Sequence, residues 1–596
     1  MTATVDPITL DIIENALMNT RLEMDSVLMR ISLSPLIREQ HDAFPMICNE
    51  RGQMVVGQFG SYVPGVLEQY ENRIEEGDVF VWNDPYACRG SISHNNDWCV
   101  MLPIFHDGTV VGYASMFGHM VDVGGKVAGS MPYDARSIWE EGLRVPPVKV
   151  YEKGVLNEGV LDIMLNNSRT PHTNRSDLMA LIAGCRTGAK RVGEICDRFG
   201  QETYLSACDQ LLDRTKEAMR ALIRKFIPEE PVSFTDYVDD DGRGNGPFKM
   251  TLSIHRRGDI AVFDWTGTDD QAEGPINFHI HEGLCKLFFG IYMIMAFDPE
   301  MLFNEGFYDL FEVVLPEGSL LNPRFPAPLG NRLNTHTRFF DCQAGALGQQ
   351  APHLSMAAGY GTSPHFIFSG HDSENQYFQM MELLFGGVPG RPRGDGLDGH
   401  AWWPLFSATP IEYIENYNPV MVESYRPIRD SGGAGLHRGG GGIEKVYRLL
   451  QSGEISIHDD RETVPPWGIN GGLPGGTSSK WIIRNGSDKM EQIPSKIDNL
   501  PVEPGDRIIF RTAGSGGWGD PLEREPDLVA RDVQHDLLST AKAEAEYGVV
   551  LSSDGAVDAK KTAALRASMR DERGEPARFN MGFEPDEARQ LEPALS

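Results

Sequence analysis

The segment between residues 83 and 125 contains residue types that bind divalent metal ions. His94 and Asp97 are three residues apart, and His119 follows His94 by 25 residues. Neutral imidazoles suit zinc, iron and manganese, and a carboxylate adds affinity for the harder ions. Two imidazoles and one carboxylate leave room for water or substrate, as in catalytic metal sites. The alternative is a polar loop whose histidines form ordinary hydrogen bonds.

Two apolar runs inside this segment predict the element that brings these residues together. Residues 99–105 and 109–117 are apolar, and the tripeptide His-Asp-Gly joins them. Asp-Gly between two such runs is typical of a β-hairpin turn. In a hairpin, the residue before the first strand lies beside the residue after the second. The pattern therefore predicts that His94, Asp97 and His119 converge at the open end of a hairpin.

A further carboxylate has a similar position in the preceding sequence. Residues 37–57 contain two short apolar runs separated by Asn-Glu-Arg-Gly, which predicts another hairpin. Asp42 precedes the first of these runs, as His94 precedes the first run of the later hairpin. Asp42 is therefore an additional candidate site residue.

The rest of the chain indicates an α+β protein with several regions. A chain of 596 residues exceeds the size of a single compact core. Residues 6–34 and two segments within 155–227 have helical periodicity, a buried helix is expected from about Ile280, and residues 330–470 are glycine-rich and irregular in pattern. The predicted regions are an N-terminal helix with the metal-site hairpins (1–150), a helical hairpin (151–230), a mixed, β-rich and glycine-rich region (231–525), and a C-terminal helix with a polar tail (526–596).

Composition narrows the classes of partner. The net charge of −31 disfavours nucleic acid and anionic membranes, which repel an acidic protein. The sequence contains no run of 18 apolar residues, so it predicts no membrane span. The eight cysteines are scattered without a CxxC pair, which favours free thiols. Together with an N-terminus that lacks signal-peptide features, these patterns lead us to expect a cytoplasmic protein.

No nucleotide-binding motif is evident. The segment DSGGAGLHRGGGG lacks the GxxxxGK[ST] order of a phosphate-binding loop. A glycine-rich turn packed against other backbone is the favoured interpretation. There is also no GxSxG nucleophile motif in the sequence.

Seven segments follow one another along the chain: NDPYACRGSISHNND, GHMVDVGGKVAGSMP, EEGLRVPPVK, GPIN, DSGGAGLHRGG, GGLPGG and GSGGWGDPLEREPDLVARDV. In this order they resemble the hydantoinase B family, and the resemblance runs from about residue 6 to about residue 550. This family includes the B-type subunits of ATP-dependent N-methylhydantoinase, part of 5-oxoprolinase, caprolactamase, and the alpha-type subunits of acetone and acetophenone carboxylases.

The resemblance implies a metal site and its ligands. The family pattern matches His94, Asp97 and His119 as ligands of a zinc, manganese or iron ion. Asp42 matches an acidic family position and is expected as a fourth ligand or a general base, although the flanking residues differ from the family motif. Glu141, in EEGLRVPPVK, is an alternative base; the competing interpretation is a solvated acidic residue.

Two neighbours of His119 also bear on the site. Many relatives have a second histidine next to it, where this chain has Met120, so a role for that neighbour is in doubt. We expect Asp122 to orient His119 rather than to bind the metal.

The resemblance also implies a partner and an activity. The partner is a hydantoinase A-type subunit with an actin-like fold that binds ATP and Mg, in a heterotetramer with two copies of each subunit. The expected function is an ATP-dependent hydrolase of cyclic amides such as hydantoin, oxoproline or a lactam. One alternative is an ATP-dependent ketone carboxylase subunit, and another is a non-catalytic assembly subunit. Chain length favours the hydrolases, whereas Trp-Trp-Pro at 402–404 favours the carboxylases.

Overall fold

The structure is a computed structural model that describes residues 4–58, 60, 62–402 and 406–583. The second and third residues of the Trp-Trp-Pro motif and the end of the predicted polar tail, 584–596, lie outside the described residues. The described part is a mixture of helices and several sheets, which confirms the predicted α+β class.

The strands are short and distributed along the whole chain. In order they are β1 (Ala43–Cys48), β2 (Met54–Val56), β3 (Val79–Trp82), β4 (Asp97–His106), β5 (Thr109–His119), β6 (Val148–Glu152), β7 (Val155–Leu156), β8 (Val232–Val238), β9 (Phe248–Arg257), β10 (Ile260–Asp264), β11 (Phe311–Val314), β12 (His365–His371), β13 (Tyr377–Leu383), β14 (Val420–Pro427), β15 (Ile443–Leu449), β16 (Gly453–His458), β17 (Gly468–Ile469), β18 (Ser479–Ile483), β19 (Met490–Ile493), β20 (Lys496–Val502), β21 (Arg507–Arg511) and β22 (Phe579–Asn580).

The helices include three of 25 residues or more, all in the first half of the chain. In order they are α1 (Pro7–Ile31), α2 (Pro35–Arg38), α3 (Val63–Tyr70), α4 (Glu158–Asn166), α5 (Pro171–Phe199), α6 (Gln201–Phe226), α7 (Glu282–Phe297), α8 (Leu333–Gln350), α9 (Ile411–Tyr417), α10 (Pro526–Gln534), α11 (Thr540–Tyr547) and α12 (Ala559–Arg573). The predicted N-terminal helix, central helical hairpin and apolar helix near residue 280 are thereby confirmed. The predicted C-terminal helix is two shorter helices, α10 and α11, and a further helix, α12, follows toward the predicted polar tail.

The chain forms two compact units. Unit 1 comprises residues 1–231 and 253–332, and unit 2 comprises residues 232–252 and 333–596. The candidate metal ligands and Glu141 all belong to unit 1. The four sequence regions predicted above describe runs of local structure, and as domains they stay a prediction.

Unit 1 is built on an antiparallel sheet of seven strands in the order β2-β1-β5-β4-β3-β6-β7. β4 and β5 form the predicted hairpin and occupy the middle of the sheet. Their turn residues Asp107 and Gly108 have φ values of 47° and 74°, as a two-residue hairpin turn with right-handed strand twist requires. Most residues of both strands are buried on both faces, which explains why their sequences are continuously apolar rather than alternating.

Glycines on α5 allow it to pack closely on its neighbours. A Cβ atom at Gly184 would lie 2.5 Å from the sulfur of Met116 in β5, and one at Gly188 would lie 2.7 Å from the sulfur of Met24 in α1. The two glycines are one helical turn apart. The bare backbone of α5 therefore fits between α1 and the sheet, and together they form the principal core of unit 1.

Unit 2 contains two antiparallel sheets with a common apolar core. One has the strand order β13-β12-β16-β20 and the other β14-β15-β21-β18-β19. Buried side chains of both sheets, including Phe366, Ile455, Tyr447 and Phe510, belong to one cluster.

The glycine-rich segments of unit 2 pack backbone against backbone, as the sequence predicted for DSGGAGLHRGGGG. A Cβ atom at Gly439 would lie 2.0 Å from the carbonyl oxygen of Ser515. A Cβ atom at Gly472, in GGLPGG, would lie 2.0 Å from the carbonyl oxygen of Gly517, in GSGGWGDP. Any larger residue would separate these segments, so their glycines have a structural explanation.

The prediction that residues 330–470 are irregular was wrong at α8. This helix of 18 residues is buried around nearly its whole circumference and carries charged residues inside. It therefore lacks the one-sided apolar periodicity that identifies a surface helix. Its Arg338 is paired with Asp460, and its Asp341 accepts from Arg461 at 2.7 Å, so its buried charges are satisfied within unit 2.

The eight cysteines are free and buried, as predicted. Seven lie in unit 1 and Cys342 lies in unit 2. Burial raises the pKa of several of these thiols, among them Cys88, Cys99, Cys185 and Cys342. The protonated thiol is the less nucleophilic form, so these side chains act as small apolar core residues.

Among the helices in the described part of the chain, none combines the length and the apolar composition needed to cross a bilayer.

The hairpin turn provides a test of the backbone argument. Replacing Gly108 by alanine should destabilise the protein by about 1–2 kcal/mol, because the residue keeps a left-handed conformation that a Cβ atom opposes. No neighbouring atom would meet that Cβ, so the cost is conformational alone. The matched control is Gly65→Ala in α3, which should stabilise by up to about 1 kcal/mol. Thermal unfolding measures both, and an equal shift for the two variants would contradict the assignment.

Candidate metal centre

A tight turn ahead of β4 brings His94 and Asp97 together. The Asp97 amide donates to the His94 carbonyl at 3.4 Å, and the turn folds the imidazole back toward the carboxylate. His94 Nε2 lies 2.9 Å from Asp97 Oδ1, but the two atoms lack the alignment of a hydrogen bond. This relation is expected of two ligands that point at a common ion rather than at each other.

His119 reaches the same point from the end of β5. It pairs directly with Asp97 in the β4–β5 register, and its Nδ1 lies 3.4 Å from Asp97 Oδ1. One ligand atom from each of His94, Asp97 and His119 lies within 4.8 Å of the others. Atoms that share an ion at about 2.0–2.2 Å lie roughly 3.0–3.5 Å apart, so the three side chains fit a divalent metal. The three side chains therefore converge at the open end of the hairpin, as the sequence predicted.

The burial and protonation of these residues also fit a metal. The His94 side chain is fully buried, and burial together with Arg332 lowers its pKa to about 3, so the imidazole is neutral at pH 7. Burial opposes ionisation of Asp97, but its imidazole neighbours and Arg332 bring the pKa of this carboxyl well below its usual value. Neither ring nitrogen of His94 nor Nε2 of His119 has a hydrogen-bond partner among the described residues. Buried nitrogens without partners are costly unless a ligand satisfies them.

Asp42 lies beside the three ligands. It immediately precedes β1, which pairs with β5, and its carbonyl accepts from the His119 amide at 3.1 Å. Asp42 Oδ2 is 3.7 Å from His119 Nδ1, and the side chain is 15% exposed. Burial raises the pKa of this carboxyl to about 6, while His119 opposes the shift. The β1–β2 hairpin thus places Asp42 beside His119. Its role as a fourth ligand or a general base stays a prediction.

Arg332 is a site residue that sequence reasoning missed. Its Nε donates to Ser93 Oγ at 2.6 Å and its Nη2 to Asp97 Oδ2 at 3.2 Å. Nη1 is buried and has no hydrogen-bond partner among the described residues. Arg332 is 235 residues from Asp97 in sequence and belongs to no motif with known spacing, so only the folded chain reveals it.

Glu141 is buried rather than solvated. Its Oε1 accepts from the amides of Leu329 and Gly330, both at 2.7 Å, and a Cβ at Gly330 would lie 3.2 Å from that oxygen. Oε2 is buried without a partner among the described residues. Burial raises the pKa of Glu141 to about 8, although the two amides and Arg332 oppose part of the shift. The carboxyl group is therefore mainly protonated at neutral pH.

Asparagines fix the loop that carries His94. Asn96 Nδ2 donates to the Met120 carbonyl at 3.0 Å, and the Met120 amide donates to the Asn96 carbonyl at 2.8 Å. Asn83 Nδ2 donates to the Asn95 carbonyl at 2.6 Å. Asn95 Nδ2 in turn donates to the Glu141 carbonyl at 3.4 Å, which links the ligand loop to the Glu141 segment. The backbone at Met120, rather than its side chain, thus helps to hold the site.

The expected role of Asp122 was wrong. Its Oδ1 accepts from the amides of Gly124 and Arg169 at 2.9 Å, and its Oδ2 accepts from Gly129 and from the Arg169 guanidinium. Both oxygens are therefore used to organise the loop after β5. Asp122 stabilises that loop and does not orient the His119 ring.

A cavity of 390 Å³ adjoins the loop that carries His94. Its lining includes Cys88, Arg89 and Ser91, which precede His94, and Tyr62 and His281 from other parts of unit 1. It offers a small molecule space against the segment that ends in the ligands.

Sequence comparison assigns the chain to a family. The Hydantoinase B/oxoprolinase family profile matches residues 6–521. The chain belongs to the hydantoinase B/oxoprolinase family. Among its relatives, the putative D-/L-hydantoinase B-type subunit of Pseudomonas sp. (strain NS671) is 32% identical, with 94% of this chain and 98% of the relative covered. The beta chain of the caprolactamase of Pseudomonas jessenii is also 32% identical, with 95% and 100% covered.

Solved structures of the same fold include two enzymes. The crystal structure of ATP-dependent caprolactamase from Pseudomonas jessenii has a TM-score of 0.85 at 29% identity, covering 95% of this chain and 100% of that one. A nucleotide-free structure of acetone carboxylase has a TM-score of 0.87 at 20% identity, covering 95% and 83%. At that identity, the likeness to the carboxylase concerns the fold alone.

Removing a ligand should remove the metal. His94→Ala and His119→Ala should each lower the zinc or manganese retained by the purified chain at least about tenfold, because two ligands no longer suffice for a stable site. His106→Ala is the matched control, since His106 ends β4 at the opposite end of the same hairpin and contacts Asp197. Metal content by mass spectrometry and the circular dichroism spectrum test this. Full metal content in either site variant, with a native spectrum, would contradict the assignment.

Glu141 should make stability fall as pH rises. Its pKa is about 8 when folded and near 4.5 when unfolded, so between these values the folded chain holds one more proton. The ionisation of Glu141 then lowers the free energy of unfolding by at most about 1.4 kcal/mol for each unit that the pH rises. Glu141→Gln should remove that slope, so its stability relative to the wild type should be greater at pH 8 than at pH 5.

The control for Glu141→Gln is Glu152→Gln, at an exposed carboxylate of β6. Its stability relative to the wild type should not change over the same pH range. Thermal unfolding at several pH values measures both variants, and parallel curves for wild type and Glu141→Gln would refute the buried, protonated carboxyl.

Proposed function

We propose that this chain is the substrate- and metal-binding subunit of an ATP-dependent hydrolase of cyclic amides. The observation that carries the proposal is the combination of His94, Asp97 and His119 as metal ligands with a buried protonated acid, Glu141, in the same unit. The names of its relatives agree with it, since they refer to hydantoinase, caprolactamase and 5-oxoprolinase. The names of the relatives refer to subunits, so we further propose that an A-type partner subunit binds ATP and Mg, with two copies of each subunit in the assembly.

The chemical problem is the stability of the amide. Resonance makes the carbonyl carbon a poor electrophile. Transfer of the γ-phosphoryl group of ATP to the carbonyl oxygen, with loss of the ring N–H proton, yields ADP and an imidate-like phosphate. Water adds to the carbon, the C–N bond breaks as nitrogen takes up a proton, and a second water hydrolyses the resulting acyl phosphate to carboxylate and phosphate.

The side chains of the site divide the proton transfers between them. A divalent ion held by His94, Asp97 and His119 would supply Lewis acidity and lower the pKa of water. Asp42, beside these ligands, accepts a proton from the attacking water. Glu141 is protonated at neutral pH and donates its proton to the leaving nitrogen. For Glu141 this reverses the direction of transfer expected from the sequence, because burial keeps the proton on the carboxyl group.

Two alternatives give different outcomes. A ketone carboxylase subunit shares the fold. In that case ATP would generate a phosphoenol that attacks activated CO2, and product would require bicarbonate. A non-catalytic assembly subunit would leave turnover independent of His94 and His119, but a preserved ligand set argues against it.

The function is tested with the complex. Co-expressed with its A-type partner and supplied with ATP, the chain should hydrolyse hydantoin, 5-oxoproline or caprolactam without bicarbonate, with release of ADP and phosphate from ATP. Acetone and acetophenone, each with and without bicarbonate, test the carboxylase alternative. His94→Ala should abolish turnover, and His106→Ala should retain it. The chain purified alone should not hydrolyse ATP.

Three results would overturn the proposal. Product from a ketone only in the presence of bicarbonate would establish the carboxylase. Full turnover by a complex with His94→Ala would favour the assembly role. ATP hydrolysis by this chain alone would refute the division of labour between the subunits.

A further inference from the structure

We propose that Arg332 binds the phosphoryl oxygens of the activated substrate through its Nη1, which has no hydrogen-bond partner in the described part of the chain. This inference rests on the proposed function, because it assigns the position of the phosphorylated carbonyl within that site. It adds a substrate-binding group to the metal ligands and to Glu141.

The first argument is the orientation of the guanidinium. Two of its three nitrogens are committed, Nε to Ser93 and Nη2 to Asp97. These bonds hold the planar group rigidly, and the side chain is only 7% exposed. Nη1 is left buried without an acceptor among the described residues. An unpaired guanidinium nitrogen in a protein interior is costly, so a fixed Nη1 is suited to receive an oxygen from a ligand.

The second argument is the position of Arg332 between the two groups of the site. Its Nη2 contacts the metal ligand Asp97, and its backbone lies two residues beyond Gly330, whose amide binds Glu141. A substrate that reaches Nη1 is thus close to the segments carrying both the ligands and the acid. In the proposed reaction, the phosphoryl group is attached through oxygen to the carbon that water attacks, so a group that fixes the phosphate also fixes that carbon.

The third argument is charge. A guanidinium offers parallel N–H donors that match phosphate oxygens, and removing water strengthens the interaction. A neutral lactam gains little from a buried cation, whereas its phosphorylated form carries negative charge. Arg332 would therefore bind the activated substrate more strongly than the free ring, which favours the step after phosphoryl transfer.

A purely structural role for Arg332 makes a different prediction. If it only orients Asp97, its loss weakens metal binding by about 10–100-fold, and excess metal restores activity. If Nη1 binds the phosphoryl group, activity stays low at full metal occupancy. Arg332→Gln and Arg332→Lys should then lower kcat by about 10²-fold with the complex saturated in metal, with KM for the cyclic amide nearly unchanged.

The test that does not depend on turnover is binding of inorganic phosphate. Calorimetric titration of the full chain, loaded with zinc and with its metal content measured, should show phosphate binding that Arg332→Gln weakens at least tenfold. The matched control is Arg256→Gln, at a partly buried arginine of unit 1 whose three guanidinium nitrogens contact Ile227, Gly258 and Glu229, and this variant should bind phosphate like the wild type. Titration with MgATP distinguishes a substrate phosphoryl group from a nucleotide and should show no binding that depends on Arg332.

Four outcomes would overturn the inference. Two concern the titration: the metal-loaded wild type binds no phosphate, or Arg332→Gln binds phosphate as tightly as the wild type. The other two are recovery of the kcat of Arg332→Gln with excess metal and MgATP binding that requires Arg332. Failure of the proposed function is recognised separately, because the complex would then show no ATP-dependent turnover of any cyclic amide whatever the result with phosphate.

Discussion

The register of three antiparallel strands determines the chemistry of unit 1. β1 pairs with β5 and β5 pairs with β4, so the start of β1, the start of β4 and the end of β5 lie at one end of the sheet. Asp97 stands opposite His119, and Asp42 stands next to it, because of this pairing alone. A slip of one residue between β4 and β5 would turn His119 to the other face. The two-residue turn at Asp107 and Gly108 fixes this register. Close packing also opposes a slip, because a Cβ atom at the position of Gly118 would lie 2.9 Å from Ile37.

The site concentrates ionisable groups where water is scarce. A carboxylate, a guanidinium and two imidazoles are buried together, which costs free energy unless each group has a partner. Unit 2 also buries charges, but Arg338 and Asp341 in α8 are paired with neighbours of the opposite sign. At the candidate metal centre, nitrogens of His94, His119 and Arg332 and one oxygen of Glu141 have no such partner among the described residues. Polar atoms without a partner also occur singly elsewhere in both units, but here several belong to one cluster, which a bound ligand can satisfy.

The parts of the site that could be predicted are those encoded by local patterns. The apolar runs and Asp-Gly turn of the β4–β5 hairpin are adjacent in sequence, so the convergence of His94, Asp97 and His119 follows from strand pairing. The position of Asp42 follows from the other hairpin in the same way. Arg332 and the burial of Glu141 depend on contacts over about two hundred residues, and no short pattern records them. α8 was missed because a helix that is buried on all sides and carries charged residues inside has no apolar stripe on one face. Asp122 was misassigned because its oxygens accept from the amides of its own loop and from Arg169, which is 47 residues later.

The buried thiols make the two units experimentally distinguishable. Seven cysteines are enclosed in unit 1 and one, Cys342, in unit 2. Cys88 lines the cavity described above, but a thiol-specific reagent can reach the other seven only when the surrounding structure opens. The rate at which each of these thiols is modified then reports the local opening free energy. The reactivity of Cys342 therefore reports the opening of unit 2, whereas the reactivity of those cysteines in unit 1 reports the opening of unit 1. The order in which these thiols become reactive in denaturant would reveal whether unit 1 opens before, after or together with unit 2.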